Sequence, residues 1–155
     1  MQNQFMQRAI HLALENVNAR GGGPFGAVVV RENIILAEGT NLVTSILDPT
    51  AHAEIMAIRD ACRAAASFQL TGCEIYTSCE PCPMCLGAIY WARPERVYYA
   101  CTRADAAAAG FDDAYIYDQL QVPLEKRSIP MLEMMRAEAQ TAFEAWRKLA
   151  GRVGY

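Results

Sequence analysis

The chain predicts an α/β fold, with helices layered on a sheet, on three observations. Apolar residues recur at helical spacing near both ends of the sequence. Short runs rich in valine, isoleucine and tyrosine fall between the helical stretches, and glycine, proline and asparagine punctuate the joins. At 155 residues the chain can bury a full core as one domain. Hydrophobic residues at 53% against 20% charged exclude a disordered polymer.

The elements follow in order. Phe5, Met6, Ala9, Ile10, Ala13, Leu14 and Val17 make one apolar stripe, so a helix is expected over residues 5–17. Gly21-Gly22-Gly23-Pro24 ends it. Residues 26–30 and 34–38 read as two strands joined by a tight turn at Arg31-Glu32-Asn33. Asp48-Pro49-Thr50 signals a helix start, with Thr50 as the expected cap of a helix reaching about residue 65. Residues 74–78 form a strand, and Pro81 and Pro83 open a helix that runs to Arg93, before Pro94. A strand over 97–100, a helix over 104–109 stopped by Gly110, a last strand over 129–134 and a final amphipathic helix over 137–149 complete the list, with a tail over 151–155.

Charge narrows the partners. A net charge of −3 and a pI near 5.4 disfavour a nucleic-acid surface, the basic residues do not cluster, and the stretch Glu125-Lys126-Arg127 itself carries an acid. The longest uncharged stretch, residues 81–92, is too short for the roughly 20 apolar residues of a membrane helix. The first residues do not read as a secretory signal. The six cysteines are therefore expected as reduced thiols in a cytoplasm.

Chemistry concentrates in two motifs, His52-Ala53-Glu54 and Pro81-Cys82-Pro83-Met84-Cys85. One imidazole and two thiolates can hold zinc with three protein groups and leave the fourth position to water. Both motifs sit where a helix is expected to begin, and helix N-termini stabilise thiolates. Cys82 and Cys85 are three apart and share one face of a first turn. Glu54 is expected to take a proton from water, deliver it to a ring nitrogen, and then, with a second proton, protonate a leaving amine. A closed structural site made of His52, Cys79, Cys82 and Cys85 is the competing reading. An iron–sulfur run would need a further cysteine where Ile89 stands. Cys62, Cys73 and Cys101 read as small core residues, and His11 as a packed or surface histidine.

These motifs are shared by the zinc deaminases of nucleobases, and the whole chain resembles the bacterial guanine deaminases of the cytidine-deaminase-like fold. The resemblance is carried by residues 22–28 (GGPFGAV), 48–54 (DPTAHAE), 78–94 (SCEPCPMCLGAIYWARP) and 109–113 (AGFDD), and by Tyr155 after residues 143–147 (FEAWR). It implies a three-layer α/β/α sandwich around a mixed five-stranded sheet, one catalytic domain over 1–155, and one Zn²⁺ per subunit on His52, Cys82 and Cys85. The implied reaction is attack of zinc-activated water at C2 of guanine, giving xanthine and ammonia, with Glu54 moving protons.

Guanine exposes N–H donors beside that carbon, so a carboxylate suits it, either Asp113 or Asp112. Asn41, Phe25, Ala53 and Trp91 are the further expected substrate contacts. A homodimer is implied, with a C-terminal segment of about residues 136–155 packed over the partner's active site and Tyr155 closing the pocket. The alternatives are a deaminase of cytosine, a triazine or guanosine, and, against the acidic charge, a tRNA adenosine deaminase.

Overall fold

Strand β1 (Gly26–Arg31) is buried over five of its six residues, and strand alternation sends its side chains into two separate cores. Ala27 and Val29 join one cluster, Val28 and Val30 the other. The first of the chain's two compact units, Met1–Asp113, is built around this strand; the second is Ala114–Tyr155. The computed structural model describes residues 3–154.

Strand β2 (Ile34–Thr40) folds back antiparallel on β1. Its turn places Glu32 and Asn33 at φ of 52° and 62°, the left-handed pair that matches the natural twist of a hairpin. Strand β3 (Cys73–Cys79) pairs antiparallel on the other side of β1, and β4 (Arg96–Cys101) lies parallel to β3. The order is β2-β1-β3-β4, a mixed sheet.

The sheet has four strands among the described residues and not the expected five. Residues 129–134 form no strand. Pro130 lacks a ladder donor, the run does not alternate, and Ile129, Leu132 and Met134 are exposed in a unit that contains no other strand.

Helix α1 (Gln4–Asn18) covers one face of the sheet, with Phe5, Ala9 and Leu12 against Val28, Val30 and Tyr76. The Asn3 side chain caps it, accepting from the N–H of Phe5 and Met6. The buried stripe differs from the expected one. Leu12 and Asn16 turn inward, while Ile10, Leu14 and Val17 are exposed. The small residues set this rotation: a Cβ on Gly26 would lie 2.3 Å from the Ala9 carbonyl oxygen, so the helix rests its alanines directly on the strand.

The opposite face carries α3 (Ala53–Ala64) and α4 (Pro83–Ala92), through Ala57, Ile58, Ala61, Ile89 and Ala92. A short α2 (Val43–Ile46) precedes α3, and α5 (Arg103–Ala108) follows β4 with a Thr102–Asp105 capping box.

In the second unit α6 (Ala114–Gln121), a 3₁₀ turn (Leu124–Lys126) and α7 (Arg136–Lys148) follow, and none of its described residues is buried. Helix α6 was not expected from the sequence; α7 falls within a residue of its expected span. Among the described residues no helix is long and apolar enough to cross a membrane.

Candidate active site

Parallel strands β3 and β4 are joined through α4, so the N-terminus of α4 comes to lie beyond the C-terminal end of β3. Parallel strands expose such ends as binding crevices. Cys82 is the N-cap of α4 and Pro83 follows in its first turn, where a missing N–H costs nothing. Cys85 then falls in that turn and is fully buried.

His52 is the N-cap of α3. This corrects the expected cap, Thr50, whose N–H and hydroxyl both donate to Asp48 Oδ1 at 2.8 and 2.7 Å. The Asp48–Thr50 turn thus completes itself, and the helix starts three residues later. Gly39 of β2 presses on the same helix start: a Cβ there would stand 2.2 Å from the Ala53 carbonyl oxygen and 2.6 Å from the Ala57 nitrogen.

Two helix starts therefore converge. The ligand atoms of His52, Cys82 and Cys85 lie within 4.8 Å of one another, and His52 Nδ1 is 3.5 Å from each sulfur. No other such trio of His, Cys, Asp or Glu occurs among the described residues. Cys79 does not join it; its thiol donates to the Thr102 carbonyl at 3.5 Å. The closed four-ligand reading loses its fourth member. Two sulfurs and one imidazole suit Zn²⁺ and leave a coordination position open.

The electrostatics fit a dication. Cys82 is held down to about 4, first by the hydrogen bond from Cys85, then by His52. Cys85 is correspondingly pushed up, by that same bond and by burial. His52 is raised by its hydrogen bond with Cys82. Zinc takes cysteine as thiolate, so a dication bound here would displace the remaining thiol proton. Glu54, buried in the first turn of α3, has its carboxyl pushed up by burial and then by the negative Cys82. A carboxyl poised to hold a proton suits general acid–base work.

Asp113 is half-buried and lies near enough to feel the charge of Cys82. Burial raises its carboxyl first and Cys82 second, whereas Asp112 is exposed. Asn41 is buried, and its Oδ1 accepts from the N–H of Gly23 and Val43, both at 3.3 Å. Phe25 meets Phe111 edge to face, with centroids 5.0 Å apart. Ala53 is the first residue of α3, wholly buried between His52 and Glu54. Trp91 stands at the far end of α4 from both cysteines and is more than half exposed. Tyr155 lies outside the described residues. Phe111 lies within the 109–113 motif but was given no role of its own there, and nothing local in the sequence marked Asn16.

The family described as the cytidine and deoxycytidylate deaminase zinc-binding region matches residues 1–101, and the chain belongs to it. The guanine deaminase of Bacillus subtilis (strain 168) is 55% identical to this chain over 151 residues, 97% of each chain. The X-ray structure of guanine deaminase from Bacillus subtilis matches with a TM-score of 0.96 at 54% identity, covering 100% of this chain and 99% of that one. A tRNA-specific adenosine deaminase of Aquifex aeolicus is 43% identical over 81 residues, 52% of this chain and 54% of that protein. Family membership and the His52, Cys82, Cys85 trio together support Zn²⁺ as the cofactor.

Proposed function

We propose that this chain is a zinc-dependent guanine deaminase, converting guanine and water to xanthine and ammonia. The observation that carries the reading is a three-ligand trio with a buried Glu54 beside it, in a chain whose likeness to a guanine deaminase spans 97% of both sequences. The likeness to an adenosine deaminase of tRNA covers about half the chain, and the net charge of −3 disfavours RNA.

Zinc, when bound, supplies a Lewis acid that makes water a nucleophile near neutral pH. His52, Cys82 and Cys85 would hold it. Glu54 takes one proton from the attacking water and passes it to the ring nitrogen as oxygen adds to C2; it then takes the second proton, from the new hydroxyl, to the amino group, which leaves as ammonia as the C2–N bond breaks and C2 keeps the oxygen. Asp113 accepts from the N–H edge of guanine, which the exposed Asp112 is worse placed to do. Asn41 gives its amide N–H groups to the ring, Phe25 presents an aromatic surface supported by Phe111, and Ala53 lines the centre beside His52.

We further propose a homodimer in the cytoplasm, each subunit one deaminase domain whose segment from about residue 136 to Tyr155 closes the partner's pocket. A unit of 42 residues with no buried side chain among those described needs a surface to cover, and six free cysteines suit a reducing compartment.

The test is ammonia release by the zinc-loaded protein with guanine, guanosine, cytosine and adenine, beside tRNA binding at low salt. Turnover of guanine alone is expected. Equal turnover of guanosine would contradict a closed pocket, and activity confined to another ring would overturn the substrate.

A further inference from the structure

Asn16 is a polar side chain buried in the last turn of α1, 7% exposed. Its amide nitrogen donates to two carbonyls at once, those of Gly23 at 2.9 Å and Asn41 at 2.8 Å. Gly23 and Asn41 are joined in turn, since the Gly23 N–H donates to Asn41 Oδ1 at 3.3 Å. A helix, the loop after it and the residue following β2 therefore close a ring of hydrogen bonds. The glycine run is what lets them close. A Cβ on Gly21 would lie 2.3 Å from Asn16 Oδ1, and one on Gly22 would lie 2.2 Å from the Asn41 carbonyl oxygen.

This ring has a chemical consequence for Asn41. Its side-chain oxygen receives two backbone N–H groups, from Gly23 and Val43. An amide with its oxygen so engaged turns its NH₂ end the other way, and it can offer a ligand only donors. Asn41 is thereby restricted from a group that reads either edge of a ring to one that reads an acceptor.

We propose that Asn16 is a positioning residue for base recognition: by anchoring the Asn41 and Gly23 carbonyls it fixes Asn41 as a donor-only contact, so that an acceptor atom of the purine is read there. This rests on the reading of Asn41 as a base contact. If Asn16 acts only to satisfy loop carbonyls, its loss lowers stability without a preference for any kinetic parameter. If it acts through Asn41, the loss appears in substrate binding and disappears once Asn41 is gone.

The experiment is a double-mutant cycle of Asn16→Ala and Asn41→Ala, read as KM and kcat for guanine, dissociation constant for 8-azaguanine, zinc content and Tm. Asn16→Asp is run beside it, since it keeps the shape and replaces the donor by an acceptor. Both Asn16 variants are expected to raise KM and the dissociation constant about tenfold, the scale of one hydrogen-bond contact. Zinc content and kcat are expected to stay near the parent values. In the Asn41→Ala background the same change should add less than about twofold, because coupled residues are non-additive. An unchanged KM in both Asn16 variants, or equal multiplication in both backgrounds, would overturn the proposal. Failure of both variants to fold would make Asn16 a folding residue and overturn it too. Asn41→Ala without effect on KM would instead remove the base contact itself, and the proposal with it.

Discussion

His52 and Cys82 hold the same station in two different helices: each is the N-cap residue, and His52 Nδ1 lies 3.5 Å from Cys82 Sγ. Neither side chain caps its own helix. Both reach across, so the partial positive charge of two helix starts faces one point where thiolate charge collects. Replacing either residue breaks the trio. His52→Ala or Cys82→Ser is expected to abolish stoichiometric zinc and activity together, as read by metal analysis of the purified protein. Chelation of the parent should lower Tm, by the equivalent of about 2.7 kcal/mol when zinc had been present at roughly a hundredfold excess over its Kd. A variant that keeps one zinc per chain would contradict the assignment.

Glu54 is buried beside the trio but is not a member of it. Glu54→Gln is therefore expected to retain zinc and lose turnover by about 10²–10⁴-fold, the range for a general acid–base group. Zinc loss equal to the loss of activity would make Glu54 a ligand.

Gly39 fixes where the first turn of α3 sits, since a Cβ would strike backbone atoms of Ala53 and Ala57. Backbone cannot swing aside as a flexible side chain can. Gly39→Ala is expected to cost about 1–3 kcal/mol and to weaken guanine turnover, because His52 and Glu54 move with that turn. Denaturant unfolding checks the first and steady-state kinetics the second; a change that leaves both untouched would show that the strand and helix can separate freely.

Arg8 on α1 grips Glu38 on β2 with two hydrogen bonds of 2.7 Å. That bonding holds the Glu38 carboxyl below the usual range. A depressed carboxyl contributes stability that is present above its unfolded pKa, about 4.3, and is lost as pH falls through the folded value. Both side chains are 35% exposed, so screening limits the pair to about 1 kcal/mol. The Tm gap between parent and Glu38→Gln should be full at pH 7 and vanish in acid; a gap independent of pH would refute the linkage.

The metal trio was legible in the sequence because each part is local. The Cys82–Cys85 spacing and the proline at the head of α4 fix ligand placement within one turn, and His52 and Glu54 share another. What depends on assembled packing was not legible. Residues 129–134 are mostly apolar but do not alternate, so their composition resembles a strand while Pro130 and Glu133 break the pattern. Asn16 reads as a solvent-facing polar residue in an amphipathic helix, and only the folded glycine loop brings two carbonyls to it. Thr50 follows the pattern of a helix cap, yet Asp48 takes its donors. The sequence left the choice between Asp112 and Asp113 open, because two adjacent carboxylates carry the same local pattern; they differ in burial, Asp113 being half-buried and Asp112 exposed.

The most direct test measures xanthine formed from guanine and zinc per chain on the same preparations of parent and Glu54→Gln protein. One zinc per chain is expected in both, with rapid xanthine formation in the parent and almost none in the variant. A zinc-replete parent that leaves guanine unchanged, or a Glu54→Gln protein that turns it over as fast as the parent, would contradict the proposed function.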